Sequence, residues 1–192
     1  MSSIRARELR RLTYYDPGPS LAAARAIQYE IAGADVDGDV KNLRSRRLKC
    51  IAEIRQGLLL TYGLSQRLGM HLYFAGGEDS DYDGAIYWAE GDTAHFQVVQ
   101  LKELPSETVN QTVTLQEILD SLNKYPDSKD LLVGVYVNRD LTIRLDELRP
   151  PARKFAGIYV FSAIAPDQTE WCILGDLQDE GRMLTTFHHP AP

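Results

Sequence analysis

Three side chains in the middle of this chain have types and spacing suited to chemistry: Asp83, Gln100 and Lys102. A hard divalent cation such as Mg²⁺ takes oxygen ligands and keeps several of its waters. The Asp83 carboxylate and the Gln100 side-chain oxygen can supply two such ligands. A cation held there polarises a phosphate and lowers the pKa of a bound water. A lysine beside it can orient that water or stabilise charge on the phosphorus centre. Gln100 and Lys102 stand among Val98, Val99, Leu101 and Leu104. Burying a lysine is costly unless it is paired or functional. The alternative is a solvated polar strip on an edge strand, with Lys102 paired to a neighbouring acid.

The elements that must position these groups are strands. Side chains alternate faces along a strand, so Gln100 and Lys102 share one face of the run 95–104, and Val99, Leu101 and Glu103 share the other. Asp83 opens the preceding strand-like run, 83–89, and Gly91-Asp92 turns the chain between the two. A hairpin of these strands brings a carboxylate, an amide and a lysine towards one point of a sheet.

Around this hairpin the pattern predicts helices first. They span residues 4–15, stopped by Asp16-Pro17-Gly18-Pro19, residues 21–32, capped by Ser20, and residues 41–64 or beyond. The third has Leu48, Ile51, Ala52, Leu58 and Leu59 on one face and is weakened by Gly57 and Gly63. Residues 70–75 read as a strand that precedes the hairpin. Thr114 caps a helix over 115–124, with Glu117 three residues on. Further strands are expected at 131–138, 141–145, 155–164 and 171–177, followed by a loose tail. The predicted class is α/β in the broad sense, a mixed α+β sheet. The expected division is a helical extension over 1–40, an α/β domain over 41–185 and a tail over 186–192.

The runs Asp83-Gly84-Ala85-Ile86-Tyr87 and Val98-Val99-Gln100-Leu101-Lys102 resemble the PD-(D/E)xK nuclease superfamily, over residues 41–138. That resemblance implies a restriction-endonuclease-like α-β-β-β-α-β core, here with N-terminal helices and extra C-terminal strands. It implies Mg²⁺ held by Asp83 and Gln100, with Glu53 of the preceding helix as a further metal ligand and Lys102 assisting the attacking water. The implied activity is Mg²⁺-dependent phosphodiester cleavage on nucleic acid. Two positions depart from the pattern. Tyr82 stands where the motif has Pro, and Gln100 stands where it has a second acid. The lost negative charge weakens the expected metal affinity. The same resemblance therefore accommodates a nuclease-fold binding or interaction module that does not cleave.

A calcium reading competes. Residues 79–90 resemble an EF-hand loop, with Asp79, Asp81 and Asp83 at positions one, three and five, Gly84 at six, Ile86 at eight and Glu90 at twelve. Its flanks are strand-like rather than helical. A single Ca²⁺ or Mg²⁺ in an acidic turn, or a plain Asp-rich hairpin turn, are the alternatives.

The stretch 41–49 carries five basic residues. Arg44, Arg47 and Arg55 can lie along one side of a helix, either as a solvated face or as phosphate contacts beside Glu53 and Asp83. Net charge is -6, yet residues 1–55 carry eleven Lys and Arg against seven Asp and Glu. An acidic total argues against broad nonspecific nucleic-acid binding, although a basic face could still contact phosphates. Tyr62, Tyr73, Tyr82 and Tyr87 are candidates for base stacking or for ordinary packing. The two cysteines, Cys50 and Cys172, form no close pair, which predicts a reducing, cytoplasmic setting. No signal-like segment and no apolar run of membrane-spanning length is present, so no membrane partner is expected.

Overall fold

The computed structural model describes residues 3–33, 49–77, 82–126, 128–180 and 182–192. Among these residues seven strands form one sheet in chain order: β1 Tyr73–Gly76, β2 Gly84–Glu90, β3 Thr93–Leu104, β4 Ser128–Val137, β5 Phe155–Ala163, β6 Glu170–Gly175 and β7 Met183–His188. β1, β2 and β3 form an antiparallel meander. β3, β4 and β5 run parallel, and β6 and β7 return antiparallel. The class is thus mixed α+β, as expected. Among the described residues no helix is long and apolar enough to cross a membrane.

The helices are α1 (Ser3–Leu9), α2 (Pro17–Gly33), α3 (Lys49–Leu68) and α4 (Leu115–Ser121), with a 3-10 turn at Leu122–Lys124 after α4. α1 stops earlier than predicted. The chain beyond it bonds to the sheet, where Tyr15 N–H donates to the Phe74 carbonyl (2.8 Å) and Phe74 N–H to the Tyr15 carbonyl (3.0 Å). Those bonds cover the outer edge of β1. α4 begins with the predicted capping box. The Thr114 hydroxyl accepts from Glu117 N–H at 3.1 Å, and Glu117 Oε2 accepts from Thr114 N–H at 2.7 Å.

Strand alternation divides the core in two. On one face Ala85, Val98, Leu104, Val133, Val135, Ile158 and Val160 pack under α4, under Leu9 of α1, and under Ile143, Leu145 and Leu148. On the other face Phe74, Ile86, Val99, Leu101, Phe161, Trp171 and Ile173 pack under Leu58, Leu59, Leu60 and Leu64 of α3 and Leu21 of α2. Leu9 of α1 and Leu21 of α2 thus each join one of the two cores.

Gly57 and Gly63, which weaken α3 by propensity, have a packing reason. A Cβ at Gly57 would stand 2.0 Å from Phe74 Cζ, and one at Gly63 would stand 2.8 Å from Phe187 Cε1. The helix needs bare backbone where it presses on these rings. Two predictions fail. Residues 141–145 form no strand; Ile143 and Leu145 instead pack onto a sheet face from an irregular crossover. Residues 187 and 188, expected in a loose tail, belong to β7, and Phe187 is buried against α3.

Candidate functional site

Asp83 stands one residue before β2, and its backbone is held from both sides. Its N–H donates to the Val99 carbonyl at 2.9 Å, and its carbonyl accepts from Gly77 N–H at 2.9 Å. This places the side chain on the face of Ala85, Val98 and Lys102. There Oδ2 accepts two bonds, one from the Gln100 side-chain amide and one from Leu101 backbone N–H at 2.6 Å. The second bond has a topological cause. β2 begins at Gly84, so the β2–β3 ladder ends opposite Val99. Leu101 N–H lies just beyond, and the carboxylate takes the place of the missing strand partner. Pattern reasoning reaches Gln100 but not this backbone donor, because it is a main-chain group.

β3 is an inner strand, paired with β2 on one side and β4 on the other, which removes the edge-strand alternative for Gln100 and Lys102. Lys102 is half-buried on the Gln100 face. Its Nζ lies 5.7 Å from the centroid of the Tyr125 ring. Asp83, Gln100 and Lys102 thus share one face, as the alternation requires. Tyr82, the residue in the motif's proline position, is buried in the same core.

The helical acid, Glu53, is on α3, which packs on the sheet face that carries Val99 and Leu101. The acid that meets the α3 network is Glu103, whose Oε2 accepts from Gln56 Nε2 and whose Oε1 accepts from Asn138 Nδ2, both at 2.9 Å. Tyr136, next to this network, has its hydroxyl pKa raised by burial, against the lowering effect of Arg55.

Arg55 has protein partners of its own. Its Nη2 donates to Gln168 Oε1 at 2.7 Å, and its guanidinium stands 5.7 Å from the centroid of the Trp171 ring. Those partners tie α3 to the β5–β6 turn. Arg44 and Arg47 lie outside the described residues, as do Asp79 and Asp81. The EF-hand reading fails on Gly84–Glu90, which is an extended strand paired with β3. Seven strand steps put Glu90 ~23 Å from Asp83. Glu90 instead sits 3.7 Å from His95.

Among the described residues no group of three His, Cys, Asp or Glu is arranged to hold a metal ion. A hard dication that keeps its waters needs only one or two protein carboxylates. Asp83, with the touching Gln100 amide turned to present its oxygen, meets the lower end of that requirement. Asp83 and Gln100 are the described residues that would hold such an ion.

The aromatic residues divide between the two sheet faces. Tyr73 and Tyr87 meet Tyr14, Phe96 and His71 in tilted ring contacts across β1, β2 and β3. Tyr62 packs on Phe187, on the α3 side. Cys50 and Cys172 are both free thiols.

Comparison with family models, with curated proteins and with solved structures finds no match to this chain. The fold and the site together define a mixed α+β protein with a carboxylate, an amide and a lysine on one face of its central hairpin.

Proposed function

We propose that this chain is a divalent-metal-dependent phosphodiesterase of the PD-(D/E)xK nuclease type, acting on nucleic acid, with a restriction-endonuclease-like core over residues 49–137. The observation that carries the reading is the direct contact of Asp83, at the start of the second strand, with Gln100, two residues before Lys102 on the third. The element order supports it: α3, three antiparallel strands, α4, then β4 parallel to β3.

In this reading Asp83 and the Gln100 oxygen are the protein ligands of the ion. When bound, the ion supplies Lewis acidity towards a phosphate oxygen and acidifies a bound water. Lys102 donates to the attacking water or to the non-bridging oxygens and stabilises the charge that develops there. Leu101 N–H fixes the rotamer of the Asp83 carboxylate, so the ligand is oriented before the ion arrives. Half-burial of Lys102 lowers the local dielectric and strengthens its pull on an anion.

The test is incubation of the full chain with labelled single- and double-stranded oligonucleotides in Mg²⁺ or Mn²⁺. Cleavage that needs the metal and disappears in Asp83→Ala and Lys102→Ala supports the reading. Cleavage that survives both variants removes these roles.

A second reading has its own observation. Oδ2 of Asp83 already accepts two donors, and Gln100 contributes no charge. A nuclease-fold module that binds without cleaving fits this, and it predicts oligonucleotide binding with no metal-dependent product.

A further inference from the structure

Lys102 is not the only ammonium group on the Tyr125 ring. Lys124 Nζ lies 5.3 Å from the same ring centroid. With Lys102 Nζ at 5.7 Å, the two nitrogens are no more than about 11 Å apart. The ring is well anchored. Leu122, in the 3-10 turn, is fully buried, and Tyr125 N–H closes that turn on the Leu122 carbonyl at 3.0 Å. Phe155 meets the Tyr125 ring edge-on at 6.5 Å. An anchored ring with two cations near it holds both by attraction to its π-face.

Like charges brought close repel, and surface lysines normally settle beside acids. Among the described residues neither Lys102 nor Lys124 has a carboxylate within ion-pair distance. Lys124 is exposed and Lys102 half-buried, so an anion can reach both. Lys102 is on the sheet face that carries Asp83 and Gln100, and the turn that carries Lys124 packs on that face.

We propose that Lys124 is a second phosphate-contacting cation, and that Tyr125 is the positioning residue that holds Lys102 and Lys124 to receive neighbouring phosphates of one nucleic-acid strand. The inference rests on the nuclease-type reading above and extends it to a residue outside the metal and water machinery. Free phosphate offers the same oxyanion chemistry as a strand, and the test separates the two sources.

The experiment measures binding of a fluorescein-labelled single-stranded oligonucleotide to the full chain in EDTA, as a function of salt, alongside steady-state cleavage in Mg²⁺. A phosphate contact to a single strand contributes ~0.7 to the slope of log K against log salt. Lys124→Ala is expected to lower the slope by about that amount and to raise KM with kcat unchanged. Lys124→Arg restores both. Tyr125→Phe keeps the ring and behaves as the parent, whereas Tyr125→Leu reproduces the slope loss. Inorganic pyrophosphate is titrated in parallel. Pyrophosphate binding that needs Lys124, with no change in oligonucleotide slope, overturns the strand assignment. An unchanged slope and KM in Lys124→Ala overturn the proposal, while cleavage abolished by Asp83→Ala in the same preparation leaves the active-site reading standing. If the parent neither binds nor cleaves the oligonucleotide, both are overturned.

Discussion

The carboxylate of Asp83 accepts the backbone N–H of Leu101 at 2.6 Å, just beyond the point where the β2–β3 ladder ends at Gly84 and Val99. The residue proposed to hold a metal ion therefore also has a structural task, and the two tasks can be separated by substitution.

Asp83→Ala leaves Leu101 N–H without a protein acceptor. An unsatisfied, partly buried donor costs ~1–3 kcal/mol, so urea denaturation should show a loss of that size. Asp83→Asn keeps an oxygen for the bond and should lose much less. Both variants should lack cleavage. Equal stability losses in the two would show that charge, not bond geometry, is what Leu101 requires.

Gln100→Glu restores a second acid beside Asp83. Without metal, two adjacent carboxylates repel, and one is expected to hold its proton to higher pH. The variant should melt below the parent in EDTA. Mg²⁺ should then stabilise it more than it stabilises the parent, because a ligand at 100 times its Kd adds ~2.7 kcal/mol. Calorimetry should find tighter Mg²⁺ binding. A melting temperature insensitive to Mg²⁺ would place the ion elsewhere.

Gly57→Ala forces a methyl into the Phe74 ring, where the ideal Cβ position is 2.0 Å from Cζ. The better helix propensity of alanine does not offset this overpacking, which typically costs ~1–3 kcal/mol. Chemical denaturation should show a net loss. A gain would mean that α3 can shift away from β1.

His189 gives stability a pH dependence. Burial lowers its pKa, Arg25 and Arg55 lower it further, and its contact with the Pro190 carbonyl opposes them. A depressed folded-state value means that the unfolded chain binds the extra proton first as pH falls. The His189 contribution is therefore intact above the ordinary histidine value of ~6.5 and is lost progressively below it. Urea midpoints at pH 7 and pH 5 should differ less in His189→Gln than in the parent. An unchanged difference would assign the acid sensitivity to other groups.

What could be read from the sequence followed local periodicity. Period-two alternation around Gln100 and Lys102, and Gly91-Asp92 between two strand-like runs, were enough to pair β2 with β3 and to put Asp83 beside Gln100. Thr114 and Glu117 announced α4 because the capping box is a local motif. Long-range features were not legible. The side on which α3 crosses the sheet is one of them: its leucines pack on Val99 and Leu101, which no spacing encodes. Arg55 serves Trp171 and Gln168, more than a hundred residues away. β7 was missed because Phe187-His188-His189-Pro190 looks like a tail until Phe187 finds Gly63. Leu141, Ile143 and Leu145 alternate like a strand, yet Ile143 and Leu145 pack onto a sheet face from an irregular segment.

The central claim is most directly tested by one comparison: metal-dependent oligonucleotide cleavage by the parent, Asp83→Asn and Lys102→Met at matched concentration, with folding checked by thermal melting. The parent is expected to cleave in Mg²⁺ or Mn²⁺, and each variant to lose ~10²-fold or more of that rate while remaining folded. Cleavage by folded Asp83→Asn and Lys102→Met at the parental rate, or none by the parent under any divalent metal, would contradict the claim.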